Sequence, residues 1–218
     1  MNARKEIKKA LENSDFDVVC RCFQEDAALT MRVLQMHVYG MPDDILRWRA
    51  IMFIGKLAGI YAADNDDLFR NVIRRFIWQM CEESANVPWA SAEVIGSILA
   101  NVEGSRYREF IGPWFYHVDL NEICYAGLYY ILPEVMNYHS ETIKEFLPKT
   151  FQWFEKYDMV DLRAYACIFF YQFPEADMKP YLESWLQDSR KALLYQDDTL
   201  KKYTIHELAQ KALSKFIS

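Results

Sequence analysis

Apolar residues recur along this chain at steps of three and four, the spacing of helices that each hide one face. The clearest case is Thr204 to Phe216, where Ile205, Leu208, Ala209, Ala212, Leu213 and Phe216 form a stripe opened by a Thr204 to Glu207 capping box. Residues 140–155 repeat the pattern with Ile143, Phe146, Leu147, Phe151 and Phe154, entered through Ser140 as N-cap. No run alternates apolar and polar residues over strand length, and no Asn-Gly or Asp-Gly pair marks a hairpin turn. The pattern therefore predicts an all-α protein without a sheet. Its connections are short and carry Pro42, Pro88, Pro174 or turns such as AADNDD at 62–67, which makes successive helices antiparallel neighbours.

The helices also repeat. LRWRAIMFIGKLA (46–58) aligns without a gap on VPWASAEVIGSIL (87–99), so that Trp48 meets Trp89 and Gly55 meets Gly96 at an offset of 41 residues. VDLRAYACIFF (160–170) places Arg163-Ala164 on Arg49-Ala50, and NEICYAGLYYIL (121–132) supplies the intervening unit, for a period of about 38 residues. Each of these first helices is followed by a second, over 66–83, about 104–117, 140–156 and 176–186. The helix from Leu46 to Ile60 is apolar on more than one side and must be covered by the units before and after it. Gly55, Ala58, Gly59 and Ala62 give it a strip where another helix can approach closely.

A polar or Arg residue, then Ala, then apolar residues and often Gly, on the first helix of a pair of about 40 residues, resembles the HEAT-like repeat. The segment FIWQMCEESANVPWASAEVIGSIL further resembles small stand-alone HEAT-like repeat proteins of microbes, and the resemblance runs from about residue 16 onward. It implies one domain over 1–218, an α-α superhelix of about four to five helical pairs with second helices on its concave face. It implies nothing specific about activity. Pro113, Pro133 and Pro148 fall where a regular repeat would continue, so the units around them are expected to bend.

Composition narrows the function classes. A chain of 218 residues with 52% hydrophobic content can build a substantial core. The net charge of −6 argues against a general binder of phosphate backbones, which needs a dominant basic patch. The amino terminus MNARKEIKKALENSD lacks a signal-peptide core, and no apolar run approaches the roughly 20 residues that span a bilayer, so a cytoplasmic location without membrane contact is expected. Five cysteines, Cys20, Cys22, Cys81, Cys124 and Cys167, fit reduced structural thiols. His37, His117, His139 and His206 are scattered, and HExxH, CxxC, GxGxxG, P-loop and GxSxG motifs do not occur. No metal, cofactor or catalytic residue is assigned.

Two tryptophans break the pattern. Trp78 sits with Asn71, Arg74, Arg75 and Glu82, opposite the stripe of its helix, and Trp153 sits with Glu145, Lys149, Gln152 and Lys156. Burying such a ring is worth roughly 2 to 3 kcal/mol, so an indole on a polar face has another neighbour or is displayed. The candidate binding residues are Arg74, Trp78, Glu82, Trp89, Lys149 and Trp153. With the implied superhelix they predict a non-enzymatic scaffold whose concave groove binds a protein or peptide. The alternative is a DNA-binding protein similar to HEAT-like alkylpurine DNA glycosylases, since Arg74, Arg75, Trp78 and Glu82 supply the residue types. The acidic charge weighs against nucleic acid. A helper that attaches a chromophore ranks below both.

Overall fold

A computed structural model describes residues 3–81 and 90–216. In chain order it contains α1 (Ala3–Glu12), α2 (Phe16–Glu25), α3 (Ala27–Val38), α4 (Ile45–Tyr61), α5 (Asp66–Met80), α6 (Ser91–Leu99) and α7 (Ile111–Asp119). There follow α8 (Tyr125–Thr150), α9 (Gln152–Lys156), α10 (Val160–Gln172), α11 (Lys179–Trp185), a hairpin of β1 (Lys191–Gln196) and β2 (Thr199–Thr204), and α12 (Ile205–Leu213). Helices α2, α3 and α4 start where side chains satisfy their first free N–H groups: Asp15, Asp26 and Asp44 accept from Val18, Leu29 and Leu46. Thr204 and Glu207 form the expected reciprocal box at the head of α12.

Five helices pack in sequence order, α4 on α6, α6 on α8, α8 on α10 and α10 on α12. Their partners lie alongside, α5 against α6 and α7, α7 against α8, and α11 against α12. Every residue of α6 is buried. The aligned glycines perform one task at successive interfaces. A Cβ on Gly55 of α4 would lie 2.1 Å from Ser97 Oγ of α6, and one on Gly96 of α6 would lie 2.2 Å from Ile131 of α8. Contact that close excludes any side chain, which accounts for glycine at both aligned positions.

One expectation is refined and another corrected. The helix anticipated from Ser140 does begin there: α8 consists of two helical stretches that meet in a kink at His139 (φ −129, ψ 25), the first running through Pro133, and α9 follows beyond Thr150. The non-helical residue at the break is His139, one position before the Ser140 expected to cap. The fold is mainly α, yet a two-stranded antiparallel sheet is present, pairing Lys191 with Thr204 through Gln196 with Thr199. Its turn is Asp197-Asp198, both in the left-handed region (φ 50 and 57) that a short polar side chain tolerates without glycine. Ala192, Leu194 and Tyr195 of β1 are buried, and this strand packs on α10.

Candidate functional site

The hairpin packs on α10 and α12 and closes one side of a cleft. Four rings from four elements meet there. Trp48 of α4 stacks on Tyr195 of β1 at 5.5 Å and 6°, and meets Tyr130 of α8 edge-on at 4.8 Å. Tyr130 in turn meets Tyr165 of α10 at 5.2 Å. Polar contacts fix three of the rings: Trp48 Nε1 donates to the Pro42 carbonyl at 2.7 Å, the Tyr195 backbone N–H donates to the Tyr165 hydroxyl at 3.3 Å, and the Tyr195 hydroxyl donates to Asp198 at 2.9 Å. Burial raises the phenols of Tyr130, Tyr165 and Tyr195 far above their ordinary range, so they stay protonated.

Arg49 ties this assembly together. Its guanidinium grips Asp198 through two bonds of 2.8 and 2.9 Å and donates to the carbonyls of Leu11 and Glu12 at 2.9 and 2.7 Å. One side chain thus joins α1, α4 and the hairpin tip, with the two-pronged geometry that makes arginine a rigid clamp.

Over the rings opens a cleft of about 630 Å³, bordered by Met52, Phe53 and Lys56 of α4, Glu134 and Asn137 of α8, and the hairpin turn. That is the size of a typical ligand site. Burial pushes the Glu134 carboxyl above its ordinary range, and the charge of Lys56 offsets this only in part. Glu134 makes no hydrogen bond or ion pair among the described residues.

A buried ion pair lies nearby. Arg47 of α4 and Glu93 of α6 meet at 2.9 Å with each side chain 3% exposed. Arg47 Nε and Nη1 and Glu93 Oε2 find no hydrogen-bond partner among the described residues. Burial drives the Glu93 carboxyl upward, against the pull of Arg47. Gly127 of α8 makes room, since a Cβ there would lie 2.1 Å from Glu93 Oε2. The charge of Glu93 is felt by both Tyr130 and Tyr165.

The residues singled out from the sequence fall elsewhere. Trp78 is 60% exposed on α5, with Arg74 beside it reaching Asn71 Oδ1 at 3.5 Å. Trp153 is not displayed. It is 2% exposed, stacked on Tyr125 at 3.9 Å and 2°, and its Nε1 donates to Asp119 at 2.6 Å. The polar side of its helix is where the ring finds a carboxylate on α7 and a tyrosine on α8, so charged sequence neighbours did not mean solvent. Lys149 is exposed, its ammonium 5.6 Å from the Phe146 ring, and it borders with Trp153 a pocket of about 210 Å³ between α7 and α8. Glu82 and Trp89 lie outside the described residues. Arg74, Trp78, Lys149 and Trp153 take no part in the cleft.

Sequence reasoning passed over Tyr130, Tyr165, Tyr195, Glu134 and Asp198. One signal was available in the alignment of Arg49 with Arg163. Both are ion-pairing arginines, Arg49 holding Asp198 and Arg163 holding Asp188 at 2.8 Å and Asp158 at 2.9 Å.

Comparison of the chain with family models, curated proteins and solved structures finds no significant match. Among the described residues no group of three or more His, Cys, Asp and Glu side chains is placed to hold a metal ion, and no helix is long and apolar enough to cross a membrane. Cys81 Sγ lies 3.3 Å from His117 Nδ1 at the surface. Burial raises the thiol and lowers the imidazole, which favours the neutral pair over the thiolate and imidazolium a nucleophile needs.

Proposed function

We propose that this chain is a non-enzymatic binding module of HEAT-like architecture that holds a peptide segment of another protein in the cleft between its first helices and the hairpin. The serial packing of α4, α6, α8, α10 and α12, each with a partner helix alongside, supports the superhelical reading. The observation that carries the binding role is preorganisation. Trp48, Tyr130, Tyr165 and Tyr195 are locked by one another and by the Arg49 to Asp198 clamp, so a segment entering the cleft orders few side chains of the module. The cleft sits on the first-helix side, whereas the resemblance implied a groove on the second-helix side.

Selection of a random-peptide display library on the purified protein tests this. Enriched clones are expected to bind the native chain and to lose binding when Met52→Arg fills the cleft. Failure to enrich any clone, or equal binding to the Met52→Arg variant, overturns the proposal. A DNA-binding role draws on one observation, the joint exposure of Arg74, Arg75 and Trp78 on α5. It predicts a duplex gel shift that weakens as salt rises. The cleft itself, where Glu134 stands without a bonded cation, is a poor place for phosphate.

A further inference from the structure

The carboxylates at the cleft differ in one respect. Asp198 is held by Arg49 and the Tyr195 hydroxyl, and Asp197 accepts from Lys201 at 2.8 Å. Glu134 has neither. Its nearest cation, Lys56, lies over the Phe16 and Phe53 rings at 5.5 and 5.9 Å and forms no ion pair with it. A half-buried carboxylate without a partner is costly unless something completes it. Around it stand tyrosine rings, whose negative faces attract a cation and repel an anion. Glu134 is close enough for its charge to act on both Tyr130 and Tyr195.

We infer that the cleft selects a lysine side chain of the bound peptide, its ammonium paired with the Glu134 carboxylate and its methylene stem laid along Tyr130 and Met52. This rests on the peptide-binding reading above and assigns its specificity. Lysine fits better than arginine in one physical respect: Asp197 and Asp198 are already held by Lys201 and Arg49, which leaves Glu134 as the one cleft carboxylate without a cation, and a lone carboxylate suits a point charge. The partly exposed Tyr130 ring, whose hydroxyl donates to Met52 Sδ at 3.5 Å, supplies an apolar wall for the stem.

The same display library provides the test, read as residue frequencies on three proteins. On the native chain, lysine is expected to dominate one position. On Glu134→Gln, clones should still enrich but without lysine there, and on Glu134→Lys the position should turn to Asp or Glu. A synthetic peptide of the native-selected sequence is expected to lose about tenfold in affinity when its lysine is Nε-acetylated, and the same acetylation should change nothing on Glu134→Gln. Cleft-dependent enrichment with no lysine preference, or a preference that survives Glu134→Gln, overturns the assignment of lysine while leaving peptide binding intact. Loss of all cleft-dependent enrichment on the native chain overturns both. Unchanged denaturation midpoints for the Glu134 variants confirm that altered selection does not reflect unfolding.

Discussion

The cleft and the face that carries Trp78 both present aromatic rings, but they are built differently. In the cleft each tyrosine touches another ring, Tyr165 and Tyr195 are also hydrogen-bonded to polar groups, and the ensemble is cross-linked by Arg49 over 149 residues of chain. On α5 the indole of Trp78 is 60% exposed, and on α7 Tyr116 is 63% exposed, with His117 its one aromatic neighbour among the described residues. Rings held in place can select a ligand with little loss of conformational freedom, whereas free rings add apolar area without defining what covers it. The difference also separates stability from display, and the two can be probed independently.

The largest effects are expected where a ring or charge is enclosed. Trp153→Ala removes a stacked, hydrogen-bonded indole and should lower unfolding free energy by about 3–5 kcal/mol, measured by urea denaturation. Arg47→Met strands the buried Glu93 charge and should cost a similar amount, about 3–5 kcal/mol. Pairing it with Glu93→Leu should restore most of the loss, because two apolar groups need no partners. If the single and double variants are equally unstable, the pair is not what governs that layer.

Arg49→Ala tests whether the cleft is held by its clamp. Loss of charge-assisted bonds to Asp198 and two carbonyls is expected to cost about 1.5–3 kcal/mol and to speed amide exchange in 191–204 while leaving α5 unchanged. Uniform acceleration across the chain would show that the hairpin is not a separable wall.

Acid should loosen the carboxyl end next. The guanidiniums of Arg190 and Arg163 beside Asp188 hold its carboxyl well below the ordinary value of 3.8, and Asp158 is lowered by the same arginines. A carboxyl depressed on folding contributes stability that is complete above its unfolded value and disappears as pH falls through its folded value. The chain should therefore lose stability progressively below about pH 4. Asp188→Asn should be less stable at neutral pH and show a shallower decline over that range, followed by thermal melts from pH 7 to 2.

Trp78→Ala should have the smallest effect on stability, within about 0.5 kcal/mol. The contrast with Trp153→Ala is the sharpest statement that the two tryptophans, alike in sequence, differ in environment.

That contrast marks how far the sequence could be read. The close approach of another helix to α4 was legible because Gly55 stands where α6 touches it, and α12 was legible because its cap, stripe and end lie within a few residues. The hairpin was not, because its turn uses Asp197-Asp198 in place of a glycine pair and β2 is largely polar and open to solvent. The burial of Trp153 depends on Asp119, 34 positions away, and on Tyr125. The cleft was hidden for the same reason. Trp48, Tyr130, Tyr165 and Tyr195 are ordinary core residues in their own helices and strand, and only their tertiary meeting makes a site.

The most direct test of the account is hydrogen–deuterium exchange on the native chain with and without a saturating library-selected peptide. The account predicts slowed exchange in α8 around 130–137 and in the hairpin at 191–204, with α5 unchanged. Protection confined to 66–80, with none at the hairpin, would place binding on the Trp78 face and contradict it.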